Sequence, residues 1–188
     1  MLAWLRNRGN LRRTARSLYG SIVTQARSPG VYAQWRVPDT PEGRFEMIVL
    51  HLVLALRRLS REGEPGRALG QALTETFVVD LDDTLREMTV GDLAVPRHVK
   101  RAVAVVQDRY ARYSAALDGF PGEGLLNTEV EARLAGLQGA KDLDAARICA
   151  YIRGAARALD LWTGAQILGG HLPWPEVHAG TGDGTTAV

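Results

Sequence analysis

Phe77-Val78-Val79-Asp80-Leu81-Asp82-Asp83-Thr84-Leu85 can be read in two ways that lead to different folds. An apolar run ending in Asp-x-Asp-x-Thr is what a strand delivering two catalytic carboxylates looks like. Read at helical intervals, the same residues form a junction, with Asp80 capping a short helix and Asp82 and Asp83 in its first turn. The surrounding sequence decides between the two.

The strand reading is the opening motif of the haloacid-dehalogenase phosphatases, in which the first Asp is a nucleophile and the second a general acid. Such a nucleophile sits at the C-terminal edge of a parallel sheet, where further strands bring a Ser or Thr, a Lys and a magnesium-binding acidic cluster. No βαβ alternation precedes Asp80 in this sequence. After it, the β-branched residues Val99, Val103 and Val106 fall at helical spacing rather than in a short run. Lysine occurs only at 100 and 141, and Asp92 of Val90-Gly91-Asp92 lacks an acidic neighbour. The phosphatase is therefore a remote alternative. In the helical reading a short helix covers about 81–88 and ends before Gly91, with Arg86 four residues from Asp82 and three from Asp83 on one face.

Outward from this block the chain reads as helix almost throughout. Leu11, Ala15, Leu18, Ile22, Val23 and Ala26 keep three-and-four spacing, and Ser28-Pro29-Gly30 ends that helix. A long Pro/Gly-rich connection follows, carrying Tyr32 and Trp35. Thr40-Pro41 then starts a helix running to about Leu59, apolar round most of its circumference and therefore central. His51 inside it reads as a core histidine with one hydrogen bond. Pro65 opens a helix carrying Leu69, Leu73 and Phe77. Pro96 opens another, with Val99, Val103, Val106, Tyr110, Tyr113 and Leu117 as its apolar stripe and Arg97, Lys100, Arg101, Arg109 and Arg112 mainly opposite. Thr128 to Glu131 matches a capping box, with a helix to Leu137. A last helix spans about 143–168, turning Ile148, Ile152, Ala155, Ala156, Leu159 and Trp162 inward, and Gly169-Gly170 ends it. The expected fold is all-α, a single compact domain of about six to seven helices over 11–170. A basic arm at 1–10 precedes it and a flexible Gly/Thr-rich tail at 171–188 follows it.

Composition agrees with one globular domain: 188 residues, 46% apolar and 23% charged. The single cysteine, Cys149, excludes a disulfide framework and a multi-cysteine zinc site, and its isoleucine neighbours mark it as a small buried hydrophobe. Four histidines at 51, 98, 171 and 178 lack metal-ligand spacing, and no glycine-rich phosphate loop or nucleophile elbow occurs. No enzymatic centre, metal, cofactor or small-molecule substrate is expected. The longest apolar stretch, 47–56, spans ten residues against the ~20 that a bilayer crossing needs.

Charge is unevenly placed. Residues 1–38 hold seven arginines (6, 8, 12, 13, 16, 27 and 36) and no acidic residue, whereas the remainder carries 16 basic and 21 acidic residues. Arg6, Arg8, Arg12, Arg13 and Arg16 thus form a basic arm suited to anionic lipid headgroups or to ribosomal RNA. A solvated arginine face of an amphipathic helix is an equal reading, and a mitochondrial presequence a third, opposed by the direct run into a folded helix.

Two segments resemble the ubiquinol-cytochrome c chaperone family, the assembly factors of respiratory complex III. One is Tyr32-Ala-Gln-Trp-Arg-Val-Pro-Asp-Thr-Pro-Glu-Gly-Arg-Phe-Glu-Met-Ile-Val-Leu-His51. The other is Phe77 to Asp92 with its Asp-x-Asp, Leu-Arg-Glu and Val-Gly-Asp elements, continued by Val95-Pro-Arg-His-Val-Lys100. The resemblance implies a non-enzymatic all-helical chaperone that binds newly made cytochrome b until haem and partner subunits arrive. It also implies peripheral contact with the inner membrane and, in mitochondrial relatives, work at the ribosome with a small partner protein. Without those relatives' long N-terminal extension, the expected setting is the bacterial cytoplasm at the inner membrane. Candidate partner-binding residues are Tyr32, Trp35 and Arg36 on the long connection, and Arg44, Asp80, Asp82, Arg86, Asp92 and Lys100 in the motifs. Each has a plainer role open to it as cap, ion pair or loop packing, preferred for Asp80 and Arg86. An RNA- or ribosome-binding protein acting through the arm is the alternative function.

Overall fold

The computed structural model describes residues 2–87, 94–119, 123–140 and 142–177. Eight helices follow one another: α1 (Leu2–Ala26), α2 (Pro29–Ala33), α3 (Pro41–Ser60), α4 (Gly63–Glu87), α5 (Val95–Asp118), α6 (Glu123–Leu134), α7 (Ala145–Leu161) and α8 (Gly164–Leu168). Six are long and two are about one turn; no strand occurs among the described residues. The all-α expectation holds.

α3 is the axis of the bundle. The Thr40 hydroxyl accepts from the Gly43 amide at 3.1 Å and Pro41 occupies the first turn, so the start read from sequence is the start observed. From Met47 to Leu59 nearly every residue is buried, against α1, α4, α5 and α7. At its far end Arg58 turns back to the end of α7, donating to the carbonyls of Leu159 (3.0 Å) and Trp162 (2.8 Å) and pairing with Glu62. A guanidinium thereby satisfies carbonyls that the last turn of α7 leaves without intrahelical partners. The α3–α4 corner requires Gly66: a Cβ there would lie 2.0 Å from the Leu59 carbonyl oxygen.

Several expectations are corrected. The 63–87 stretch is one helix, not two, because nothing between Gln71 and Glu87 breaks it and Leu69, Leu73, Phe77 and Leu81 stay on one face. Asp80 is thus a mid-helix residue, not a cap, and Asp82 and Asp83 lie far from any first turn. Gly91, the expected stop, lies outside the described residues. Thr128 sits within α6, so the capping box there does not form; Leu126, Val130 and Leu134 are its buried face. The final helix breaks at Trp162–Thr163, where Thr163 and Gln166 do form a capping box that opens α8.

On α5 the buried stripe is Ala102, Val106, Arg109, Tyr113 and Ala116, rotated from the stripe expected around Val106 and Tyr113. The rotation carries Arg109 from the solvent side into the interior, where Glu46 of α3 accepts from both Nη2 (2.9 Å) and Nε (3.2 Å). At the N-terminus, residues 2–10, the expected basic arm, form the first turns of α1. At the other end, 171–177 packs against α1: Trp174 donates to Ser21 at 3.0 Å and the Pro175 carbonyl accepts from Gln25 at 2.8 Å. The rest of that expected tail, 178–188, lies outside the described residues. No helix among the described residues is long and apolar enough to cross a membrane.

Candidate functional site

Two unlike places stand out. The first is a closed polar network in the core. His51, fully buried, contacts the Met47 carbonyl through Nδ1 (2.7 Å) and the Tyr151 hydroxyl through Nε2 (2.8 Å), where sequence promised one hydrogen bond. Nδ1–H donating to the carbonyl leaves Nε2 to accept from Tyr151, whose oxygen in turn accepts from Gln25 (3.0 Å). Burial holds the imidazole down to about 4, so it is neutral at pH 7. The indole of Trp174 lies edge-on at 5.0 Å. Every polar atom here is used by another, which marks a structural centre. No cluster among the described residues can hold a metal ion.

The second place is a cleft of about 850 Å³ where α1, α3, α4 and α5 diverge. Phe45 and Ile48 of α3, Phe77 and Leu81 of α4, and Ala102 and Val105 of α5 give it an apolar lining. The Phe45 and Phe77 rings lie 6.2 Å apart, and Tyr19 meets Phe77 edge-on at 6.4 Å. Tyr19 donates its hydroxyl to Asp80 at 2.8 Å, which gives the mid-helix carboxylate a partner across the cleft wall. Burial, reinforced by Asp80, pushes the phenol far up, so it stays a donor.

At the mouth Arg44 grips Asp39 through two hydrogen bonds of 2.6 and 3.1 Å, and the Asp39 carboxyl is held below its usual range by that bond. Gly43 is forced by the same turn: a Cβ there would meet the Pro38 carbonyl oxygen at 2.0 Å. The cleft therefore joins residues from Asp39 to Ile48 with residues from Phe77 to Leu85, two stretches far apart in sequence, in one lining.

Residues 33–174 match the family of ubiquinol-cytochrome C chaperones. The chain belongs to that family. The crystal structure of the Cbp3 homolog from Brucella abortus is similar in both sequence and fold, at 30% identity over 94% of this chain and 97% of that one, with a TM-score of 0.80. No curated protein matches the chain significantly. For a member of this chaperone family, Asp80 at the middle of a helix also removes the strand edge that phosphoryl transfer from Asp-x-Asp requires.

The candidate residues divide by location. Arg44 and Asp80 meet in the cleft of this chaperone-family fold. Asp82 and Lys100 lie together on the other side of α4 and α5, in a shallower depression of about 450 Å³ with Val78, Val79, Pro96 and Val99. There Asp82 pairs with Arg86 at 2.7 Å, the contact expected from their spacing. Trp35 is not a surface aromatic: it is 3% exposed, with its ring 4.7 Å from that of Tyr151. Tyr32 is half-buried and ties α2 to α1 through the Ala26 carbonyl (2.8 Å). Arg36, at a φ of 56°, is exposed and 3.6 Å from Asp142. Arg12, Arg13 and Arg16 are exposed on α1; Arg6 and Arg8 lie in a stretch described by its backbone alone. Asp92 lies outside the described residues.

Sequence reasoning missed Tyr19, Arg27, Phe45, Phe77 and Arg101 as site residues. Phe45 and Phe77 stood in the quoted motifs, but an aromatic at helical spacing looks the same whether it fills a core or lines a cleft.

Proposed function

We propose that this chain is a non-enzymatic chaperone that holds newly synthesised cytochrome b during assembly of respiratory complex III, and that the cleft seats an apolar segment of that client. One observation carries the reading: residues of both sequence segments that resemble the family line a single open cleft with an apolar wall. An apolar groove bounded by helices is a seat for a helix that buries one face in it. A holding function needs no catalytic centre, and Asp39, Arg44, Glu46 and Asp80 around the cleft are engaged in hydrogen bonds and ion pairs rather than arranged as nucleophile and base. Arg44 and Asp80 shape this seat; Asp82 and Lys100 extend the contact surface beyond it.

The test is a photo-crosslinking residue at Leu81 or Val105 in a strain assembling complex III. Crosslinks to cytochrome b from these positions, and not from the exposed Leu161 at the opposite end of the bundle, are expected. Equal labelling from all three, or loss of the gene with normal complex III, refutes the proposal.

The exposed Arg12, Arg13 and Arg16 favour peripheral attachment to an anionic inner membrane from the bacterial cytoplasm, each arginine near the surface contributing about 1 kcal/mol. The same cations support the second reading, contact with ribosomal RNA. Substituting all three by Gln separates the two: loss of binding to phosphatidylglycerol vesicles supports the membrane, and loss of steeply salt-dependent RNA binding supports the ribosome.

A further inference from the structure

The outer face of α1 carries charge of one sign. Gly9, Arg13, Arg16, Gly20, Thr24 and Arg27 follow at intervals of three and four, which places them on one side of the helix, and all six are exposed. Arg27 keeps the register past the end of α1, its amide donating to the Val23 carbonyl at 3.1 Å. The face is about 27 Å long at the rise of an α-helix. Residues 1–38 contain no acidic side chain, and Arg12, Arg13, Arg16 and Arg27 form no ion pair with a described residue. A Cβ at Gly9 or Gly20 would meet nothing within 4 Å, so the face is unobstructed.

Three features bound this face. At one end Arg27 also lines the cleft, so the cationic side runs up to the cleft's rim. Alongside, α4 packs on α1 and exposes Glu75, Asp80, Asp83 and Glu87, while its arginines Arg67 and Arg86 pair within α4 with Glu64 and Asp82. A plane of negative charge attracts α1 and repels α4, which fixes how the molecule is rolled about the α1 axis. At the other end the sequence opens with Leu2, Ala3, Trp4 and Leu5, apolar types with the tryptophan that favours a bilayer interface. A straight strip with no aromatic among its described residues to stack a base suits lipid phosphates better than RNA.

We infer that the face of α1 from Gly9 to Arg27 lies along an anionic bilayer and holds the α1 rim of the cleft at the headgroup layer. This rests on the reading of the arginines as a membrane contact. It extends that contact to Gly20, Thr24 and Arg27, and it places the cleft relative to the membrane, where a client segment leaving the bilayer meets it.

Flotation of the full chain with phosphatidylcholine vesicles containing phosphatidylglycerol tests this. Arg27→Gln and Gly20→Glu are each expected to weaken binding about fivefold, the effect of one charge near the surface. Gly20→Arg should tighten it by a similar factor, and Asp83→Asn on α4 should not weaken it. Gly154→Glu on α7, where a side chain has equally open space, should leave it unchanged. Position is read with a fluorophore, since the native Cys149 is buried. A label on Thr24→Cys should be quenched by headgroup-labelled lipid, and one on Leu161→Cys should not.

If Arg12→Gln/Arg13→Gln/Arg16→Gln abolishes vesicle binding while Arg27→Gln and Gly20→Glu retain it in full, the inference is overturned and the membrane reading stands. No vesicle binding by the unmodified chain overturns both. Loss of binding to a ribosomal RNA fragment in the Arg27→Gln and Gly20→Glu proteins, with vesicle binding unmoved, also overturns the inference and assigns the face to RNA. If circular dichroism shows that Gly20→Glu fails to fold, Arg27→Gln and the quenching at residue 24 give the same decision.

Discussion

α3 has two unlike neighbourhoods. Toward α7 and the 171–177 segment, its polar residue His51 meets Tyr151, Gln25 and Trp174 in a network with no open side. Toward α4 and α5, Phe45 and Ile48 look into a cleft whose lining has no occupant among the described residues. The first neighbourhood resembles the interior of any well-packed domain, where buried polar groups are matched one to one. The second keeps apolar surface open between diverging helices, which pairs such as Glu46–Arg109 and Tyr19–Asp80 tie to one another beside it.

The largest effect should come from the closed side. Trp35→Ala removes a ring packed on Tyr151 and is expected to cost about 4 kcal/mol in urea denaturation. A loss under 1 kcal/mol would erase the contrast. Acid should act through the same region. At pH 7 His51 is neutral both folded and unfolded. As pH falls below 6.5 the unfolded chain takes up a proton that the folded one refuses until about 4. Stability present above pH 6.5 is thus lost on the way down to about pH 4, by roughly 3 kcal/mol. His51→Gln should flatten that portion of the pH–stability curve; an unchanged curve contradicts the buried neutral imidazole.

In the walls of the cleft the effects should be smaller. Glu46→Ala leaves Arg109 buried with only Asp108 beside it and is expected to cost about 2 kcal/mol. Replacing both members, Glu46→Gln with Arg109→Met, should cost less than the single change, which a double-mutant cycle measures. Tyr19→Phe deletes the bond to Asp80 for about 1 kcal/mol. Client crosslinking should fall more than that figure suggests if the bond holds α1 against α4. At the rim, Arg27→Gln and Arg101→Gln should leave the unfolding free energy within roughly 0.5 kcal/mol of its original value. A large stability change there would make the rim part of the core.

The helices were legible wherever the signal was local. Thr40-Pro41 and Pro96 began helices where their chemistry says they should, and the density of apolar residues from Met47 to Leu59 made α3 central. The two family-like segments were equally legible as strings of residues. That both line one cleft was not, because the Tyr19–Asp80 bond spans 61 positions and periodicity carries no information about partners at that distance. Asp80 illustrates the failure closely. Its side chain suits a cap, but a helix already running from Gly63 and a phenol from α1 gave it another place.

By itself the sequence determined the class of the molecule: periodic apolar faces, caps, an uneven charge distribution and a run too short to cross a bilayer, all properties of neighbouring residues. Tertiary structure alone decided which side of each helix is inside. It buried Trp35 and Arg109, packed 171–177 against α1, and brought the Phe45 and Phe77 rings within 6.2 Å of each other in the lining of one cleft. The reason is physical. A helix forms from contacts three and four residues apart, whereas the choice between core and cleft depends on how closely distant helices approach, and that distance is settled only when all of them pack together.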